Sequence, residues 1–322
     1  MEICYTINSF NIIFCIGFKG VAMAGLHLIW NPIAGNGAAV RAYAQVAGYL
    51  DSNGIAFHES KSAYSGQITE LTRAALENGA ERIIVLGGDG TVREAAIALN
   101  GSDVPMAIVP CGTGNDLRRP LGLPLDPIAA LKVALNGVPK KMDAAMANGE
   151  LFFNVAGFGF DVDVLDYTEI YKKKYRNGSL AYLHGLLRAI TGRKNRWATI
   201  TWPQGHMEKN VLLIAAGNGS HFGGGMMVAP GADPFDGMLD ICVVHDVNLL
   251  AILTMLPKFI TGKHIHVKKY VTYFRTTKLA VTCDPASRIE VDGDVMPGTP
   301  VTFEILPQSL WVMTPGDGPS LR

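Results

Sequence analysis

In the first half of the chain the apolar positions follow two alternating periods. Residues 82–86 are a short continuous apolar run, the pattern of a strand buried on both faces. Residues 26–30, 55–59 and 106–109 read as further strands. Between them apolar positions recur at helical spacing. Val40, Tyr43, Ala47 and Leu50 form one stripe, Ile68, Leu71, Thr72 and Ala75 a second, and Val92, Ala95, Ala96 and Leu99 a third. Asn53-Gly54, Asn78-Gly79 and Asn100-Gly101 close the three stripes as helix stops. The order βαβαβαβ predicts a parallel sheet covered by helices, with ligands at the carboxyl ends of its strands.

The pattern then changes. Segments 197–202, 209–216, 238–244, 270–274, 278–282, 288–291 and 301–305 are rich in Val, Ile, Thr and aromatics, with turns between them. That is the pattern of an antiparallel β-sandwich or barrel. The shift falls near residues 140–151. Residues 24–145 are therefore expected to form an α/β domain and residues 146–310 a β domain, with the tail 311–322 packing back on the first. No repeat or low-complexity stretch interrupts this plan.

Composition narrows the function. Of 322 residues, 48 % are apolar and 17 % charged, enough core for two domains and unlike a disordered chain. Lys+Arg and Asp+Glu are both 28, so the zero net charge argues against a general nucleic-acid partner. The five cysteines show no CxxC spacing, which argues against zinc or a disulfide framework and for a reducing compartment. Glycine, at 36 residues, suggests tight turns and close backbone approach to a ligand.

No segment reads as spanning a membrane. Residues 3–18 are uncharged, but shorter than the roughly 20 residues that a span needs, and they lack the basic start of a signal peptide. Met23 precedes the first strand, so residues 1–23 read as an upstream-start extension, with a short anchor as the rival reading. Residues 211–232 are long enough to span, yet their glycines together with Asn218, Ser220 and His221 indicate strand and ligand-facing loop. Basic residues 172–174, 176, 193, 194 and 196 flank an apolar stripe containing Leu180, Leu183, Leu186, Leu187 and Ile190. Such a segment suits an anionic bilayer surface, or equally a core helix with solvated ends. Residues 247–258 carry the same ambiguity.

Three loops carry the chemistry. Gly87-Gly88-Asp89-Gly90-Thr91 follows the buried strand and opens a helix. Glycines let backbone N–H groups approach a polyphosphate, and a helix N-terminus adds partial positive charge. Asp89 in such a loop can hold Mg2+, though a plain tight turn uses the same letters. Pro110-Cys111-Gly112-Thr113-Gly114-Asn115-Asp116 repeats the logic after the next strand, adding a hydroxyl and an amide–carboxylate pair. Asn31-Pro32-Ile33-Ala34-Gly35-Asn36-Gly37 follows the first strand and is a plain turn unless it meets the other two.

In this order and on these strands, the three motifs resemble the diacylglycerol kinase catalytic-domain family, in particular its soluble bacterial lipid kinases. The likeness continues through residues 154–161 (NVAGFGFD), Gly217-Asn218-Gly219, Gly223-Gly224-Gly225-Met226, Ala229-Pro230, Asp236-Gly237, Leu239-Asp240 and Asp292-Gly293-Asp294. The resemblance implies a phosphofructokinase-like α/β nucleotide domain with a parallel sheet, a C-terminal antiparallel β-sandwich domain, and a site in the cleft between them. It implies ATP and Mg2+ as cofactors and transfer of the γ-phosphate to a lipid hydroxyl, most commonly from diacylglycerol to phosphatidic acid.

Residue by residue, it implies nucleotide contacts from Asn31, Gly87, Gly88, Asp89, Gly90 and Thr91. Val92, Arg93, Glu94, Gly112, Thr113 and Asn115 would continue them, and Ser62 stands where many members have an ATP-contacting Thr. Asp89, Asp116 and Asp143 resemble the acidic network around a catalytic Mg2+. Asp236, with the carbonyls of Asp233 and Met238, resembles the ligand set of a second, structural Mg2+; oxygen donors suit a hard cation. An ordinary hairpin uses the same Asp-Gly turn. Asp294 occupies the general-base position, accepting the hydroxyl proton while the oxygen attacks phosphorus in line. Two residues depart from the family pattern: Asp294 replaces the usual Glu and is one methylene shorter, so that either the loop sits closer or Asp292 takes part, and Arg93 replaces a common Asn. Two alternatives follow. An NAD kinase shares GGDGT but lacks GTGND and the Asp-Gly-Asp turn. A catalytically weak, lipid-binding regulatory protein would explain both departures. The expected setting is the cytoplasm at a membrane surface, with a lipid substrate, no nucleic acid and a homodimer left open.

Overall fold

The structure, a computed structural model, describes residues 3–6, 13–16, 25–175, 178–192 and 194–316. β1 (Ile3–Thr6) and β2 (Ile13–Ile16) pair antiparallel, apart from the main sheet. The rest of the expected N-terminal extension, Arg176 and Arg193 of the basic flanks, and the tail beyond residue 316 lie outside the described residues.

The α/β part runs β3 (Leu26–Trp30), α1 (Ala38–Ser52), β4 (His58–Lys61), α2 (Gln67–Glu77), β5 (Arg82–Gly87), α3 (Asp89–Leu99), β6 (Met106–Pro110) and α4 (Pro127–Asn136). Then follow β7 (Val138–Ala147), β8 (Glu150–Phe152), β9 (Val155–Gly159), α5 (Phe160–Lys172) and α6 (Gly178–Thr191). The chain ends with β10 (Arg196–Trp202), β11 (Gly205–Gly217), β12 (Leu239–His245), α7 (Leu249–Ile260), β13 (Val271–Thr276), β14 (Lys278–Asp284), β15 (Ile289–Val291), β16 (Asp294–Met296) and β17 (Val301–Thr314). Among the described residues β3 to β17 form one 15-stranded sheet, parallel through β17-β6-β5-β3-β4 and antiparallel elsewhere. β17 joins the two regions: its first part pairs with β14, and Val312 lies parallel to Met106 of β6.

The parallel end folds as expected because its strands are buried throughout. Each residue of β3 and β6 is buried, and Ile83 to Gly87 of β5 likewise. The apolar stripes of α2 and α3 face the sheet as expected. The stripe of α1 differs: Ala39, Ala42, Val46 and Leu50 are buried, whereas Val40 is exposed. The small alanines allow α1 to lie close to the sheet, and that face outcompetes the bulkier one. The strand expected over 55–59 forms instead at His58–Lys61, a polar edge strand paired with β3. Ile55 and Phe57 pack into the core cluster beneath α1 rather than joining the ladder.

The second half is antiparallel as expected, with α5, α6 and α7 packed on one side of it. Among the described residues, no helix is long and apolar enough to cross a membrane. The order β4-β3-β5-β6 reverses direction between β3 and β5, so the loops after β3, β5 and β6 open at a topological switch point, where open α/β sheets bind ligands.

Candidate functional site

The three glycine loops meet in backbone contact. Trp30 lies level with Leu86, and Gly87 with Pro110, so the loops leave the sheet at one height. A Cβ on Gly112 would stand 2.3 Å from the Gly88 Cα, and one on Gly35 would stand 2.0 Å from the Cys111 carbonyl oxygen. No residue with a side chain fits at these positions, and Gly35 also has φ +61°. Asn31 Nδ2 donates to Thr91 Oγ1 at 3.2 Å, and its Oδ1 accepts from Ile33 N–H. Asn115, at φ +50°, closes the third loop by accepting from Gly112 N–H and donating to the Gly112 carbonyl. Gly90 and Thr113 are exposed at the loop tips, and Ser62 is buried beside β3, donating its N–H to the Trp30 carbonyl.

Asp89 and Asp116 are brought together. Asp89 Oδ1 accepts from Asp116 N–H at 2.7 Å. Asp116 is buried, and its Oδ2 accepts from Gly224 N–H at 2.7 Å. Gly224 belongs to the Gly223-Gly224-Gly225 turn of the second half, so this bond closes the cleft. Arg119 Nε stands 3.5 Å from Asp116 Oδ1, near enough for charge attraction, but that oxygen receives no hydrogen bond. Burial pushes Asp116 above the ordinary carboxylate range; the Gly224 N–H and Arg119 oppose this, while Asp89 adds to it.

Other expected site residues are placed differently. Asp143 does not line the cleft with Asp89 and Asp116. Its oxygens accept from Gly237 N–H and Gln308 N–H, tying the Asp236-Gly237 turn to the irregular stretch of β17. Glu94 caps α2 by accepting from Gly66 N–H and Ile68 N–H, so its carboxylate is engaged. Val92 is buried, and its N–H bonds to the Gly88 carbonyl as part of α3. Asp233, Asp236 and Met238 do share one turn. There Asp236 Oδ1 accepts from Met238 N–H, Oδ2 pairs with Arg275, and Asp233 Oδ1 accepts from Phe235 N–H. Among the described residues no three of His, Cys, Asp and Glu converge as a metal centre.

The two departures from the family pattern meet each other. Arg93 Nη1 bonds to Asp294 Oδ2 at 2.8 Å, and its Nη2 reaches the Leu151 carbonyl at 3.3 Å. The Asp294 side chain is 68 % exposed and stands at the rim, outside the cavity lining.

Behind that rim lies a cavity of about 260 Å3. Asp89, Asp116 and Gly224 sit at its polar end, and Leu186, Leu213, Ile252 and Phe259 are among its apolar walls. Three further acids line it: Asp161, Glu290 and Asp292, the last an alternative participant in the base role. Asp292, at φ +50°, accepts from the N–H groups of Phe153, Asn154 and Val155 at 2.8, 3.0 and 3.1 Å. Burial pushes it up to about 6 against these donors and Arg93. Asp292→Ala would leave three backbone donors without their acceptor. It is expected to cost about 2 kcal/mol, at the scale of hydrogen bonds to a charged group, read as a lowered urea midpoint.

Fold and cleft together define the class: a lipid kinase built from an α/β catalytic part and a β-sandwich part. Residues 25–147 match the diacylglycerol kinase catalytic domain, and residues 154–314 match the YegS C-terminal NAD kinase beta sandwich-like domain. The chain belongs to the diacylglycerol kinase family. It is 30 % identical over 295 residues to a diacylglycerol kinase of Mycobacterium tuberculosis, covering 89 % of this chain and 94 % of that one. It is 30 % identical over 292 residues to a Klebsiella pneumoniae protein named "Probable lipid kinase YegS-like", covering 89 % and 96 %. A crystal structure of a diacylglycerol kinase from Bacillus anthracis shares the fold at a TM-score of 0.72 and 23 % identity, covering 92 % and 98 %.

Proposed function

We propose that this chain transfers the γ-phosphate of ATP, with Mg2+, to the hydroxyl of a lipid, and that diacylglycerol, yielding phosphatidic acid, is an acceptor. The observation that carries this reading is the convergence of three glycine loops on the polar end of an apolar cavity. The α3 N-terminus and the open backbone of Gly88 and Gly90 suit phosphate oxygens, while Asn31 and Thr113 border the nucleotide. The residues fit a hard cation: Asp116 Oδ1 is a buried carboxylate oxygen without a hydrogen bond, close beside Asp89. When bound there, Mg2+ supplies positive charge beside the transferring phosphoryl group. Asp294 accepts the lipid hydroxyl proton as the oxygen bonds to phosphorus and ADP leaves. Arg93 holds that carboxylate at the rim.

The lipid enters from a membrane surface. Leu183 and Leu187 of α6 and Leu250 and Leu253 of α7 point outward, while Leu186 and Ile252 on the same helices line the cavity. Lys172, Lys173 and Lys258 border this face and suit anionic headgroups.

The test is transfer of labelled γ-phosphate from Mg-ATP to lipid alcohols in mixed micelles, with NAD and fructose 6-phosphate as controls. A labelled lipid supports the reading. Label in NAD alone overturns it. Bound ATP with no labelled acceptor favours the regulatory alternative, to which the outward position of Asp294 would then belong.

A further inference from the structure

Helix α6 shows two faces. Leu183 and Leu187 are exposed, while Tyr182 and Leu186, spaced by one turn like the exposed pair, line the lipid cavity. Tyr182 stands at the polar end. A Cβ on Gly223 would stand 3.0 Å from Tyr182 Oη, and the next residue, Gly224, donates its N–H to Asp116 Oδ2 at 2.7 Å. Asp89 is close to the same turn: a Cβ on Gly114 would stand 2.7 Å from Asp89 Oδ2 and 3.6 Å from the Gly224 Cα. The phenol thus ends near the two acids at which the glycine loops meet.

Among the described residues Tyr182 Oη makes no hydrogen bond, yet it is not one of the polar atoms shut away from the surface without a partner. It opens on the cavity. The acids around it are not its acceptors. Asp116 Oδ2 takes the Gly224 N–H, and Oδ1 faces Arg119 Nε at 3.5 Å. Asp161 Oδ1 accepts from Val162 N–H at 2.8 Å, and its Oδ2 lies over Gly157. Burial, with Asp116 and Asp161 nearby, pushes the phenol up to about 12, so it keeps its proton at neutral pH. Other polar side chains of the wall are already bonded: Arg93 to Asp294, Asn154 Nδ2 to the His221 carbonyl, and Asp292 to three backbone donors. Tyr182 therefore offers a neutral, uncommitted O–H where the apolar wall gives way to the glycine loops. A lipid alcohol entering there leaves water behind, and its hydroxyl needs a new partner.

We propose that Tyr182 holds the acceptor alcohol, its Oη donating a hydrogen bond to the oxygen of the reacting lipid hydroxyl at the polar end of the cavity. The inference rests on the kinase reading and adds to it the residue that recognises the hydroxyl. The contact takes one lone pair of the alcohol oxygen. The second lone pair is left for phosphorus and the alcohol's own proton for Asp294. Because Leu183 and Leu187 lie on the outer face of the same helix, α6 joins the membrane-facing surface to the point where the hydroxyl is held.

The experiment compares a diacylglycerol with its deoxy analogue, in which the free C–OH is replaced by C–H. Calorimetry in mixed micelles measures the binding of each. The unmodified chain is expected to prefer the alcohol by about tenfold or more, the scale of one neutral hydrogen bond. Tyr182→Phe removes the hydroxyl alone and is expected to lower that preference by about tenfold. With Mg-ATP, kcat/KM for the lipid should fall by a similar factor, while KM for ATP and the melting temperature hold. A purely structural role would not separate the lipid from the nucleotide in this way. An unchanged alcohol preference in well-folded Tyr182→Phe overturns the proposal. So does a rise in KM for ATP that matches the loss on the lipid, since the hydroxyl would then serve the nucleotide. If no lipid is phosphorylated, the kinase reading fails by itself, and binding still decides the point. An alcohol preference that Tyr182→Phe abolishes would support the Tyr182 assignment, and no preference at the outset would overturn it.

Discussion

Asp89→Asn is expected to lower kcat for phosphate transfer by about a thousandfold while leaving the chain folded. The carboxylate does two things. Oδ1 braces the third glycine loop through the Asp116 N–H at 2.7 Å. In the proposed reaction its charge, next to Asp116, would draw the divalent cation to the polar end of the cleft. An asparagine keeps an oxygen that can accept the same N–H, so the brace survives. It removes one of two adjacent negative charges, and with it much of the affinity for the cation that neutralises the phosphoryl oxygens. Losing one preorganised electrostatic contact of this kind costs about 3–4 kcal/mol in the transition state, or about a thousandfold in rate. The check is kcat at saturating lipid and Mg-ATP, with thermal melting as the control for folding. A variant that stays within tenfold of the parent while melting normally would reduce Asp89 to a loop brace and move the cation to Asp116 alone.

The parallel half of the fold was legible because its helices cover a sheet and show a single apolar stripe each, as α2 and α3 do. The three glycine loops were legible for a related reason: close backbone approach excludes side chains, and Gly35, Gly88 and Gly112 are all in such contacts. Legibility failed where two candidate faces competed. In α1 a pattern of Val40 and Tyr43 looked better than the alanine face that packs. The β4 edge strand is polar, so apolar spacing pointed to the neighbouring Ile55 and Phe57. α5 went unread, and α7 stayed ambiguous, because a helix beside an apolar cavity shows apolar residues on more than its core face. Among the site residues, Asp143 and Glu94 could not be told from ligands. A carboxylate that tethers backbone N–H groups and one that binds a cation look alike until their neighbours are known. Glu290 was hidden in the opposite way. Between Ile289 and Val291 a lone acid in a strand reads as the solvent side of the period, yet here both faces are buried.

Asp294→Ala is expected to lower kcat by about a thousandfold, within the range for loss of a positioned base, with little change in stability. The side chain is mostly exposed, so solvent screens its ion pair with the largely buried Arg93, worth about 1 kcal/mol. Arg93 keeps its bond to the Leu151 carbonyl when Asp294 is gone, so its guanidinium is not left without a partner. The melting temperature should therefore hold while turnover falls, a separation that a structural role would not produce. Asp294 is also one methylene shorter than the glutamate usual in the family, and the Arg93 contact holds it at the rim of the cavity. For the proton to reach it, the lipid hydroxyl must come to that rim between α3 and the Asp292-Gly293-Asp294 turn. Asp294→Glu should then keep measurable turnover, since its longer arm reaches further inward from the same backbone position. If Asp294→Ala instead retains full activity in well-folded protein, the proton must leave by another carboxyl. Asp292, two residues away in the same turn and lining the cavity, is then the carboxyl to test. A combined Asp294→Ala and Asp292→Asn variant would then show the loss that the single substitution did not.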